Sequence, residues 1–241
     1  MDLLIYGVNG HMGSLIKNLA EKDSYWRVIG GVDSEMSDDP MNNRYDVVVD
    51  FSHPSALQDV LQLCKEKKIP LVIGTTGFSK EQLEDIKFAS AKIPILQSTN
   101  MSLGMNLLFR LVEQTAAVLK DKSDIEVIES HHNRKKDAPS GSARTIVESI
   151  EKGLGEEKKH QHGRVGECPR EKGEIGIHAI RGGNIVGYHE ANFINDLETI
   201  KIVHEAHNRS VFAQGALDAA KFIMDQEPGL YTMKDLLNLM V

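Results

Sequence analysis

"LLIYGVNGHMGS", residues Leu3 to Ser14, decides the class of fold. An apolar run suited to a strand stops at Gly7, glycines recur at Gly7, Gly10 and Gly13, and helix-forming sequence follows at once. Strand, glycine-rich turn and helix in that order open a dinucleotide-binding unit, where amides at the start of the helix face a pyrophosphate. The spacing is not a clean G-x-G-x-x-G, because Asn9 stands where the second glycine belongs. Asparagine tolerates the left-handed region better than most residues, so the backbone can still approach a phosphate. The next strand, "RVIGGVD", ends on Asp33. That is about twenty residues beyond Gly13, where a carboxylate accepts hydrogen bonds from a ribose.

Further along, "YDVVVDFS", "PLVIGTTG" and "PILQSTN" supply three more strands, apolar almost throughout, as expected of strands covered on both faces. Helices are predicted over 12–22, 54–67 and 79–91, so the first hundred or so residues read as α/β, a Rossmann-type doubly wound parallel sheet. "SEMSDDPMNNR", between Asp33 and Tyr45, leaves little room for a crossover helix and predicts a loop. Ligands of such sheets bind beyond the carboxyl ends of the strands. The candidate cofactor contacts are therefore Gly7, Val8, Asn9, Gly10, His11, Met12 and Asp33, with Gly74, Thr75, Thr76, Ser98, Thr99, Asn100 and Met101 at the nicotinamide half.

From Leu103 the pattern changes to a long helix reaching about Asp121, a strand "DIEVIES", and a helix from about Gly141 to Lys152. "GEEKKHQHGRVGECPREKGE" reads as an exposed loop. "EIGIHAIR", "IVGYHEANFI" and "ETIKIVHEA", joined by "GGN" and "ND", predict two hairpins in a second, mostly antiparallel sheet. A helix from about Ser210 to Asp225 and an amphipathic "MKDLLNLM" finish the chain.

Between "DIEVIES" and its helix lies "HHNRKKDAPSG", His131 to Gly141. The first helical amides, with the Ser142 hydroxyl, suit a carboxylate or phosphate; His131 and Lys135 can carry protons, and Asp137 can orient the loop. Taken alone, the string reads equally well as a solvated basic loop. No metal is expected, since adjacent His131 and His132 point apart without a third ligand at convincing spacing, and His160, His162 and Cys168 make only a loose cluster. With 41% hydrophobic residues and a net charge of -7, the 241-residue chain reads as a globular protein without general affinity for nucleic acid or a membrane surface. No signal-peptide or membrane-spanning pattern and no disulfide framework is present, and a cytoplasmic location is expected.

Taken together, the glycine turn, "GTTG", "STNMSLGMN" and "ESHHNRKKDAPSGSA" closely resemble the 4-hydroxy-tetrahydrodipicolinate reductase (dihydrodipicolinate reductase) family, over essentially the whole chain. The most specific part is E-x-H-H-x-x-K-x-D-A-P-S-G, carried by Glu129, His131, His132, Lys135 and Asp137 to Gly141. The resemblance implies that His131 is a proton donor or acceptor, that Lys135 is a proton donor, and that His132, Gly141 and Ser142 bind substrate carboxylates. It implies NAD(P)H-dependent reduction of 4-hydroxy-tetrahydrodipicolinate, a small cyclic dicarboxylate, to tetrahydrodipicolinate in lysine and diaminopimelate biosynthesis. It also implies a nucleotide domain of residues 1–102 plus 210–241 and an α+β substrate and oligomerisation domain of residues 103–209. Homotetramers built by the second sheet, domain closure with hinges near Ser102 and Arg209, and a further grip on substrate from Arg209 belong to the same expectation.

The chain departs from the family's frequent choices at Asn9, His11 and Ser142, where Gly, Arg and Thr are common. Because Ser34 and Glu35 follow Asp33 without a nearby cation, NADH is expected to be preferred over NADPH. An acylating semialdehyde dehydrogenase would need a nucleophilic cysteine, which neither Cys64 in an apolar helix nor Cys168 in a polar loop provides. A noncatalytic NAD sensor would have no use for His131, Lys135 and the Ser140 to Ser142 turn together.

Overall fold

The computed structural model describes residues 1–33 and 43–238, which form two compact units, Met1–Leu103 with Ser210–Val241, and Gly104–Arg209. The loop expected between Asp33 and Tyr45, with Ser34 and Glu35, lies largely outside the described residues.

In the first unit, β1 (Asp2–Tyr6) pairs in parallel with β2 (Arg27–Val32) on one side and β3 (Val47–Asp50) on the other. Beyond β3 come β4 (Leu71–Ile73), β5 (Pro94–Gln97) and β11 (Gly229–Tyr231), all parallel. Alternate residues explain the continuous apolar runs. Leu3 and Ile5 of β1 pack with Ile16 of α1 (His11–Ala20) and Leu217 of α6 (Ser210–Ile223). Leu4 and Tyr6 pack with Leu57 and Leu61 of α2 (Leu57–Lys67) and Ile86 of α3 (Lys80–Ser90). A 3-10 turn at Pro54–Ala56 leads into α2, and Ser79 caps α3 in a reciprocal box with Gln82. Because strand order reverses between β1 and β3, a crevice opens beyond Tyr6 and Asp50, the usual ligand position in such sheets. β11 escaped the sequence reading; three residues are too short for a periodic signal.

The second unit packs α4 (Leu103–Leu119) and α5 (Gly141–Leu154) on one face of a sheet ordered β10 (Thr199–Ala206), β9 (Gly187–Ile194), β6 (Asp124–His131), β8 (Ile175–Arg181) and β7 (His160–His162). Ala143, Ile146, Val147 and Ile150 form the buried stripe of α5 against Ile125, Val127, Ile177 and Phe193. At Gly153 a Cβ would sit 2.1 Å from the Glu113 carbonyl oxygen, so glycine lets α5 approach α4 closely.

Three sequence expectations change here. The sheet is mixed, with β6·β8 and β7·β8 parallel and β6·β9 and β9·β10 antiparallel. "GGN" is not a hairpin turn, because β6 lies between β8 and β9. Turn chemistry is local, whereas β6 offers both edges to partners distant in sequence. The crossing wraps the end of β6, with Gly182 N donating to His131 O and Asn133 N to Gly183 O. "ND" does close a hairpin, where the Asn195 side chain accepts the Leu197 and Glu198 amides. Finally, the polar stretch expected to be a loop contains the edge strand β7, which has no apolar face to announce it. No helix among the described residues is long and apolar enough to cross a membrane.

Candidate active site

In the first unit the glycine turn is built from backbone. Gly7 takes φ of 77°, and a Cβ there would lie 2.4 Å from the Phe51 carbonyl oxygen. A Cβ on Gly13 would lie 2.0 Å from Gly7 O. Gly10 is the N-cap of α1 and caps it with no side chain. A cradle closed to side chains, presenting backbone at a helix start, fits a dinucleotide pyrophosphate. Asn9 needs no left-handed conformation, contrary to the sequence reading; its φ is ordinary, Gly7 makes the unusual turn, and the Asn9 amide donates to the Asp33 carboxylate at 3.1 Å.

Tyr6, Gly7, Gly10, Asp33, Phe51, Ser52, His53 and Asp59 line one pocket. Met12, Phe51, Gly74, Ser98, Thr99, Asn100, Met101 and Phe212 line another. Val8 and Asn9 border a third hollow, Val8 and Met101 are buried in the core, and His11 and Thr76 are exposed outside these pockets. Thr75 is buried, its hydroxyl accepting the Ser52 amide at 2.9 Å beside Asp50. Burial pushes the Asp50 carboxyl up, against hydrogen bonds from Ser52 and Thr75. Phe51 lies against Gly74, where a Cβ would meet its ring at 2.2 Å.

The second unit builds its site from side chains. Period-two geometry places Glu129 and His131 of β6 on the helix-covered face; register sets His131 opposite Arg181 and Glu129 opposite His189. Glu129 is fully buried. Its Oε1 accepts Arg181 Nη2 at 2.7 Å and the Ser140 amide at 3.0 Å; its Oε2 accepts Arg181 Nη1 at 2.8 Å and lies 2.6 Å from His131 Nδ1. Burial alone would raise this carboxyl, but the bonds from His131, Arg181 and Ser140 hold it at about 2. The His189 imidazole is pushed down to about 3 by burial and by His131, whose ring it meets edge-on at 5.1 Å.

Ser140 is the N-cap of α5, its hydroxyl accepting the Ala143 amide at 3.1 Å and lying 3.1 Å from His189 Nε2. The helix start presents Gly141 and Ser142. Gly141 is exposed, and a Cβ there would meet only Arg144 Nη2, at 3.9 Å. A side chain at 141 would therefore leave the helix start itself uncrowded. Lys135 Nζ pairs with Asp137 Oδ1 at 2.8 Å and holds that carboxyl low, while Arg181 Nη2 donates to Asp137 O at 2.6 Å. Burial first, then the charges of Arg134, Arg209, His131 and Lys135, lowers the pKa of His132. His131, His132, Lys135 and the α5 start thus belong to one loop, pinned at each end and in the middle.

A family model described as dihydrodipicolinate reductase, N-terminus, matches residues 1–101, and one described as dihydrodipicolinate reductase, C-terminus, matches residues 104–237. The chain belongs to the dihydrodipicolinate reductase family. The 4-hydroxy-tetrahydrodipicolinate reductase of Alkaliphilus metalliredigens is 67% identical over 239 residues, which cover 99% of this chain and 100% of that relative. The enzyme of the same name from Caldanaerobacter subterraneus subsp. tengcongensis is 46% identical over 244 residues, 97% of each chain. The solved dipicolinate-bound dihydrodipicolinate reductase from Paenisporosarcina sp. TG-14 shares the fold, with a TM-score of 0.78 and 21% identity across 100% of this chain and 99% of that one.

The sequence motifs of this dihydrodipicolinate reductase family member do not include Phe51, which borders two pockets, and give no role to Glu129, Arg181 or His189. A signal for the last three existed. Charged or polar residues at core-facing positions of otherwise apolar strands, as at Glu129 after Ile125 and Val127, mark a buried polar network.

Proposed function

We propose that this chain, an oxidoreductase using a pyridine nucleotide, reduces 4-hydroxy-tetrahydrodipicolinate to tetrahydrodipicolinate in lysine and diaminopimelate biosynthesis, with His131 and Lys135 as its proton carriers. The observation that carries the reading is the His131–Ser142 loop, which sets two proton carriers beside an exposed helix N-terminus around one buried carboxylate. The start of α5 and His132 hold the substrate's carboxylates, because helix-start amides and a ring N–H donate to anions. Arg209, whose charge reaches His132, adds to the same grip. Lys135 brings a charged donor, and its pairing with Asp137 aims the ammonium within the loop. His131 or Lys135 delivers the proton that balances reduction. The nucleotide, when bound, supplies the hydride. Gly7 to Met12 and Asp33 hold its phosphates and ribose; Gly74 to Thr76 and Ser98 to Met101 line its nicotinamide end.

NADH is the preferred form in this reading. Asp33 and Asp59 both line the pocket beyond β1 and β3, and among the described residues His53 is the sole basic side chain in its lining. Two carboxylates repel a 2'-phosphate. The chain works as a homotetramer through the open face of the second sheet, where Ile180, Ile194 and Val203 are exposed at 51%, 37% and 49%. Light scattering on the purified protein checks the assembly. The activity is tested with enzymatically generated substrate by following oxidation of NADH and, separately, NADPH. Turnover with a higher kcat/KM for NADH is expected; no turnover with either nucleotide overturns the reading, and an NADPH preference overturns only the cofactor assignment.

A further inference from the structure

We propose that Glu129 is a positioning residue that makes Nε2 the proton-exchanging atom of His131 and holds both ends of the Lys135 loop with one carboxylate. The proposal rests on the reading of His131 as a proton carrier. Four groups converge on the buried carboxylate: both terminal nitrogens of Arg181, the Ser140 amide and His131 Nδ1, at 2.6 to 3.0 Å. A carboxylate so placed is ionised and has no proton to give, so Nδ1 carries the proton between the two atoms. That fixes the tautomer of the neutral ring and leaves Nε2 for exchange, the arrangement by which a buried acid orients a catalytic imidazole.

The neighbours agree with this assignment. Gly187 stands beside Nε2, where a Cβ would be only 3.4 Å away, so that side of the atom stays uncovered. The His189 ring braces the imidazole edge-on. Glu129 also reaches the far end of the loop through the Ser140 amide, the N-cap of the helix whose start is assigned to the substrate carboxylates. His131 and Ser140 are nine residues apart in sequence, yet both hydrogen-bond to Glu129. Arg181 fixes the middle through Asp137 O. One carboxylate therefore sets the proton carrier and the anion anchor in a common frame, where a displacement of about 1 Å can cost a hundredfold in rate.

The test begins with the unaltered protein. With isotopically labelled imidazole nitrogens, and the His131 signal identified by its loss in His131→Asn, neutral His131 is expected as the Nδ1–H tautomer in long-range proton–nitrogen spectra. A proton on Nε2, or the averaged signal of a solvated imidazole, overturns the proposal without any variant having to fold. In Glu129→Gln, kcat is expected to fall about 10²-fold, with the fixed tautomer lost and NADH affinity kept. A purely structural role would lower thermal stability and leave the tautomer unchanged, which also overturns it. If His131→Asn itself turns over normally, the proton-carrier reading fails; if His131→Asn is dead while Glu129→Gln is normal, only the role of Glu129 fails.

Discussion

The two sites use opposite materials. The nucleotide site is shaped by glycines and backbone, with Gly7 and Gly13 so close to neighbouring carbonyls that no side chain fits. The second site is shaped by ionisable side chains around a fully buried acid, with an exposed Gly141 that faces open space. The first should therefore break through sterics and the second through charge.

The largest effect is expected at Gly13. Gly13→Ala places a Cβ 2.0 Å from Gly7 O and 2.8 Å from Val8 Cα, atoms of backbone that cannot swing aside. A loss of about 3 kcal/mol in urea unfolding is expected, with loss of NADH binding by calorimetry. An unchanged midpoint would show that the turn is not sterically closed.

Acid should separate the units next. His189 ordinarily titrates at 6.5 but at about 3 when folded, so below 6.5 the unfolded chain binds a proton that the folded one refuses. The stability held by its neutral form is complete above 6.5 and is lost as pH falls toward 3, by about 1.4 kcal/mol per unit. Glu129, ordinarily at 4.5 and about 2 when folded, adds a loss of about 3 kcal/mol as pH falls from 4.5 through 2. Asp50 acts in the opposite sense: its folded pKa is raised above 3.8, so acidification favours the folded first unit. Hydrogen-exchange protection factors in β6 and β9 should thus fall between pH 6.5 and 4 before the fluorescence of Trp26, the single tryptophan, changes. Simultaneous loss would contradict the contrast.

Gly141→Val is the milder test. The structure has room for the side chain, so folding should be normal, while an anion approaching the α5 amides meets a new obstacle. A rise of about tenfold in the inhibition constant of pyridine-2,6-dicarboxylate is expected, with NADH affinity unchanged. Normal inhibition would remove the helix start from the substrate site.

The same contrast explains what was legible beforehand. Gly7, Gly10, Gly13 and Asp33 were readable because backbone-built sites demand particular residues at short, regular intervals. The doubly wound order was readable because strands covered on both faces are apolar throughout. His131, Lys135 and Gly141 were readable as a contiguous string. Arg181 and His189 were not, since they reach Glu129 through cross-strand register that no local pattern encodes, and "GGN" looked like a hairpin because β6, which separates β8 from β9, precedes both in the chain. β7 and β11, each three residues long, lack room for periodicity.

Whether a charged side chain on the His131–Ser142 loop does chemistry or only meets solvent is decided by two neighbouring lysines. Lys135 is partly buried and paired with Asp137, while Lys136 is exposed. Lys135→Met should lower kcat by about 10²- to 10⁴-fold while folding and NADH binding persist, and Lys136→Met should leave turnover within about twofold. Near-normal turnover in Lys135→Met, or equal losses in both variants, would contradict the account and return the loop to the status of a solvated basic turn.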